Sequence, residues 1–149
     1  MTNPQALSRA LTDAYIDQFP LEVTEVLESA PAPEIVQLLQ TQPPERGARI
    51  LSRLSTALAT TALLQLKSGK VQRIMAAMDP VGAALLLGSV DEASRQSLLA
   101  ALDAGLAREL QDIMSYPEGS AGRLMQPRAA SIPAHLTVRQ VLNRLRQIP

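Results

Sequence analysis

The sequence predicts an all-α protein: a right-handed superhelix of about eight short helices on a twelve-residue repeat, followed by the opening strand and helix of a second, truncated domain. Three observations predict it. A doublet of large apolar residues recurs every twelve positions, at Val26-Leu27, Leu38-Leu39, Ile50-Leu51, Ala62-Leu63, Ile74-Met75, Leu86-Leu87 and Leu98-Leu99, fading at Leu110-Gln111. A second apolar column lies three residues further on, at Leu54, Leu66, Met78, Val90, Leu102 and Met114. Apolar residues make up 46% of the chain but aromatics only 2%, so the interior must be built of Leu, Ala, Val, Ile and Met, as packed helices favour. Such a register means a stack of equivalent units, an architecture that binds or senses more often than it catalyses.

Element by element, Pro4 to Phe19 reads as a capping helix, with Leu7, Leu11, Ala14 and Tyr15 closing an end of the stack. Each following unit opens with a helix-start signal. Ser55, Asp79, Asp91, Asp103 and Ser115 share one phase, and all are residue types that cap free backbone N–H groups. Pro80 stands at a first helical position, where its missing N–H costs nothing. Pro31 and Pro43 hold the same phase in earlier units and stop one helix before the next begins. The start at Lys67-Ser68-Gly69-Lys70 carries the weakest signal and predicts a looser corner. Gly47, Ala48, Ala59, Ala83 and Ala84 sit just ahead of the doublets, where small side chains let helix axes approach.

The helices these units allow are too short to persist alone, since isolated helices below about 12–15 residues are marginal in water. Doublet and column together form one stripe at i, i+3 and i+4 spacing, and stacked stripes make a continuous core. The repeat ends at Tyr116, giving domain bounds of 1–116, a linker at 117–124 and a truncated second domain at 125–149. Gly119 and Gly122 are the expected hinge points of the linker. Beyond it, Ala129 to Ile132 reads as a strand and Thr137 to Arg146 as an amphipathic helix with Val138, Val141, Leu142 and Leu145 on one face.

Composition excludes several functions. Without cysteine there is no disulfide, thiolate metal site or cysteine nucleophile. No apolar run reaches the roughly 18 residues a membrane helix needs, and Met1 to Arg9 has no signal-peptide core. His135 is the single histidine and reads as a loop residue. The zero net charge hides a split: residues 1–118 hold nine Lys/Arg against fourteen Asp/Glu, a balance of −5. Residues 119–149 hold Arg123, Arg128, Arg139, Arg144 and Arg146 with no acid, a balance of +5. These arginines lack the interleaved aromatics and recognition helix of a nucleic-acid site, so no nucleic-acid partner is expected. No serine has a base partner and no carboxylate pair stands apart, so an enzyme is not expected.

The junction Tyr116-Pro117-Glu118-Gly119-Ser120-Ala121-Gly122-Arg123-Leu124-Met125 resembles the connector of MgtE-type magnesium transporters, which joins a cytosolic N domain to the first CBS domain. The short helices with proline-containing starts and Leu-Leu doublets resemble that N domain, and Met125 to Arg146 resembles the start of a CBS domain. A related superhelix occurs in flagellar motor switch proteins. The MgtE resemblance implies a regulatory role at the inner face of the cell membrane, in which Mg²⁺ held among acidic residues bridges the N and CBS domains and metal loss opens the pore. It also implies homodimerisation through CBS pairing, with the protein's own CBS and membrane domains as partners. Two alternatives stay open: a soluble interaction module with no membrane part, and a structural protein that polymerises by stacking.

The family's acid-rich helix start, Asp/Ser-Pro-Asp-Asp-Ala-Ala-Asp, corresponds here to Asp79-Pro80-Val81-Gly82-Ala83-Ala84-Leu85. Val81, Gly82 and Leu85 stand where the metal-facing acids would be. Asp79, Asp91 and Glu92 are the remaining candidate Mg²⁺ ligands, since a hard cation needs several carboxylate or carbonyl oxygens. Their phase equally suits helix capping. The five C-terminal arginines read as a solvated face or, with acids missing at 81, 82 and 85, as ion-pairing partners of the acidic superhelix that replace part of the metal bridging.

Overall fold

The computed structural model describes residues 4–117, 119–125 and 136–145. In chain order the helices are α1 (Pro4–Gln18), α2 (Pro20–Glu28), α3 (Ala32–Thr41), α4 (Pro44–Leu51), α5 (Thr56–Gln65), α6 (Ser68–Ala77), α7 (Pro80–Gly88), α8 (Glu92–Ala100), α9 (Ala104–Ser115), α10 (Ala121–Leu124) and α11 (Val138–Leu145). The described residues contain no strand, and the strand expected at 129–132, like His135, lies outside them.

From α2 to α9 the first helical residues are 20, 32, 44, 56, 68, 80, 92 and 104, a constant step of twelve without slip. From α3 to α9 helices pack on the next but one: α3 on α5, α5 on α7 and α7 on α9 form one row, and α4 packs on α6 beside it, while α8 packs on α7. The second member of every doublet is buried, and Leu39, Leu63 and Leu87 have no exposed surface. The column from Leu54 to Leu102 is buried at each turn out of a helix. First members follow position in the stack. Ile50, Ala62, Ile74, Leu86 and Leu98 are buried and Leu38 is half-buried, whereas Val26 is 66% exposed and lines a groove beside α1.

Small residues act as expected. Ala48, Ala59, Ala83 and Ala84 are buried, and a Cβ at Gly47 would lie 3.0 Å from Ile74 Cδ1 and 3.2 Å from its Cγ1. Glycine at 47 thus lets α4 and α6 approach closely, with no positive φ of its own.

Three expectations are corrected. The apolar stripe of α1 does not close the end of the stack: Leu11 and Tyr15 are exposed, as is Ala14, and Ile16 is the buried residue. The inward face is instead polar. Asp13 and Asp17 meet the guanidinium of Arg46 at 3.1 and 2.6 Å, and Asp17 meets Arg49 at 2.9 Å. Rotated this way, α1 leaves an apolar groove lined by Leu11, Tyr15, Val23, Val26, Leu27 and Leu38.

The second correction concerns the corner at Lys67–Lys70, which is anchored and not loose. Lys70 is 7% exposed, and its ammonium donates to the backbone carbonyl of Gln42, the C-cap of α3. The third is Ser115, which ends α9 and caps nothing; its hydroxyl donates to the Asp112 carbonyl at 2.6 Å. With Gln111 in place of the second doublet residue, α9 continues for 12 residues until Tyr116-Pro117 stops it.

Candidate functional site

The three candidate ligands sit at two successive helix starts, Asp79 at that of α7 and Asp91 with Glu92 at that of α8. Asp79, Asp91 and Asp103 are the N-caps of α7, α8 and α9. The Gly82 amide donates to Asp79 Oδ2 at 3.0 Å, the Ser94 amide to Asp91 Oδ1 at 3.0 Å and the Gly105 amide to Asp103 Oδ1 at 2.8 Å. Ser94, through side chain and amide, holds the Asp91 carboxyl below its ordinary pKa. Glu92 is fully engaged: Arg95 Nη1 donates to Oε2 at 2.9 Å and Gln96 Nε2 to Oε1 at 2.7 Å. Ser55 shares the phase but turns away from its own helix, donating from its hydroxyl to Glu28 at 2.9 Å.

These carboxylates do not converge. Among the described residues no three His, Cys, Asp or Glu side chains gather as a metal site. Asp79 also lines a shallow cleft with Arg49 and Arg53, whose positive charges oppose a cation there. Mg²⁺ demands near-octahedral oxygen ligation, and the residues of this edge do not supply it alone.

The polar groups that do converge lie elsewhere, in a seam that the sequence reading passed over. Gln42 is 6% exposed and stands at its centre. Its side-chain oxygen accepts from Arg46 Nη1 at 2.9 Å and its backbone carbonyl from Lys70. Arg46 continues to Asp13 and Asp17, so the seam ties α1 to α3, α4 and α6. The Arg46 hydrogen bond, aided by the charge of Arg46 and Arg49, holds the Asp17 carboxyl below the usual carboxylate range. Burial pushes the Lys70 ammonium pKa down, with Arg73 acting in the same direction and Glu45 against it. A signal for this seam exists in the repeat: Arg46 and Lys70 share a phase with Leu58 and Leu106, which pack into or against the core.

The junction after α9 is the third ordered feature. Gly119 adopts φ +76°, a left-handed backbone suited to glycine. Gly122 is required for a different reason, because the Tyr116 ring lies 2.5 Å from where its Cβ would be. Arg123 Nη1 donates to the Tyr116 carbonyl at 3.2 Å and, at 3.4 Å, towards that of Met114. In this junction the basic tail meets helix-end carbonyls.

The stack of two-turn helices on a constant twelve-residue step, with aspartate caps in one phase, defines a helical superhelix of short repeated units. The particular family is established by comparison: the MgtE intracellular N domain matches residues 18–119, and the chain belongs to that family. Among solved structures it is similar to the cytosolic domain of the Mg²⁺ channel MgtE in complex with ATP, at 26% identity and a TM-score of 0.66. That match covers 91% of this chain and 61% of the other, so this chain spans less than two thirds of the longer domain. No curated protein matches the chain. Membership of a channel's intracellular domain family sets the chain apart from enzymes. Among the described residues no helix is long and apolar enough to cross a membrane.

Proposed function

We propose that this superhelix is the cytosolic regulatory domain of an MgtE-like magnesium or divalent-cation transporter, acting by rearrangement against the domains that follow its linker. The observation that carries the reading is the similarity to the cytosolic domain of a Mg²⁺ channel over 91% of the chain, well beyond the residues matched by the N-domain family. On this reading residues 125–149 open a CBS domain, and the CBS pair supplies the homodimer contact. The partners are then the protein's own CBS and membrane domains, at the inner face of the membrane.

Regulation by a cation requires that it bind one arrangement more tightly than another. Asp79, Asp91 and Glu92 enter as ligands only in a shared site, because each aspartate already gives one oxygen to a cap and both Glu92 oxygens are occupied. The remaining oxygens of such a site come from a facing domain. Residues 18–119 grafted in place of the N domain of a Mg²⁺-gated MgtE channel, and assayed for flux in proteoliposomes, test this directly. Flux that still falls as internal Mg²⁺ rises supports the reading. Flux as Mg²⁺-insensitive as that of a channel lacking its N domain refutes it.

A further inference from the structure

We propose that Arg123 is a latch that fixes the exit of the linker, and that Gly88 is its receptor. Two hydrogen bonds and one close approach place the guanidinium. Nη1 reaches the Tyr116 carbonyl at 3.2 Å and lies 3.4 Å from that of Met114, at the C-terminal end of α9. Nη2 occupies space beside α7, only 2.8 Å from where a Cβ on Gly88 would stand. A cation at a helix C-terminus is favoured by the carbonyl dipoles left unpaired there. One side chain thus bonds the linker to the end of α9 and lies against the end of α7, which stacks on α9.

The repeat supplies independent support. Gly88 shares its phase with Gln40, Ser52, Leu64, Ala76, Ala100 and Asp112, all of which carry a side chain. Only α7 among these units is bare at this position, and that is where Arg123 lies. Gly88 has no positive φ, so its backbone does not require glycine. The space does. The rest of the linker is arranged around the same contact: the Arg123 amide donates to Ser120 at 3.1 Å, and Tyr116 covers Gly122. The linker is therefore a two-position element. Latched, it leaves the superhelix in one direction; a change of direction requires the guanidinium to leave Gly88 and the end of α9 together.

The test is amide hydrogen exchange at residues 119–125 of the full chain, for the wild type, Gly88→Ala, Arg123→Gln and the double variant. Alanine at 88 suits a helix better than glycine, keeps every charge, and displaces only the mobile end of Arg123. Exchange of the linker amides is expected to rise about tenfold in each single variant, the scale of a lost charge-assisted hydrogen bond, and no further in the double. The melting temperature of Gly88→Ala should equal or exceed that of the wild type. Unchanged linker exchange in Gly88→Ala overturns the latch, as does a double variant whose effect is the product of the two singles. Should Arg123→Gln fail to fold, Gly88→Ala decides alone.

Discussion

Replacing Lys70 by Met isolates the polar clip between α6 and α3. Methionine retains an unbranched apolar stem, so the packing of the lysine methylenes is largely kept while the ammonium is lost. The Gln42 carbonyl then loses the Lys70 donor in a site where Lys70 is 7% and Gln42 6% exposed. A buried acceptor deprived of its partner costs about 1–3 kcal/mol. Relief of the charge's desolvation offsets part of this, but the ammonium sits at the end of α3, where the helix dipole favours it. The expected net loss is about 1–2 kcal/mol, or about 3–6 °C in Tm for a chain of this size. Urea unfolding followed by circular dichroism, with an unchanged m-value, measures it. The pH dependence gives a second check. Because burial lowers the folded-state pKa of Lys70 below 10.5, the unfolded chain binds the proton more tightly. The wild type should therefore gain stability relative to Lys70→Met as pH rises from the folded pKa towards 10.5. A Lys70→Met protein as stable as the wild type at neutral pH refutes the clip.

Gly47→Val places two further methyl groups where even a Cβ is 3.0 Å from Ile74, and should cost about 1–3 kcal/mol in chemical denaturation; a neutral effect would show that α4 and α6 can separate freely. Asp17 has a folded pKa below 3.8, so its contribution is present above that value and lost as pH falls through the folded pKa. Amides of α1 should lose exchange protection in that acid window while those of α9 keep theirs, and simultaneous loss would contradict a separately tethered α1. Asp79→Ala should lose about 1 kcal/mol as an N-cap is removed, while Asp79→Asn stays near the wild type. If millimolar Mg²⁺ stabilises the wild type but not Asp79→Asn in thermal melts, the cap account of Asp79 is incomplete.

The repeat was legible in the sequence because burial and helix starts share one period. Leu39, Leu63 and Leu87 lie in the predicted doublets, and the caps at Asp79, Asp91 and Asp103 lie on the predicted phase. What the sequence hid were contacts that cross the period. Lys70 looked like a weak helix start because its partner, a backbone carbonyl 28 residues earlier, has no side-chain signature. The stripe of Leu11 and Tyr15 looked like the buried face of α1, yet the ion pairs of Asp13 and Asp17 with Arg46 turn that stripe outward. Gly122 read as a hinge by its residue type, whereas the Tyr116 ring explains it by contact. As for the candidate site, position was legible and chemistry was not. The phase of Asp79, Asp91 and Glu92 places them at helix starts, but which oxygens remain after capping depends on local geometry.

The next-but-one packing of the helices gives the chain a parity. A duplication or loss of one twelve-residue unit would keep every cap and doublet in register, and yet send each later helix into the opposite row. The last helix would then change sides, and the linker would depart from the other face of the stack. Gain or loss of two units restores the face and alters only the reach.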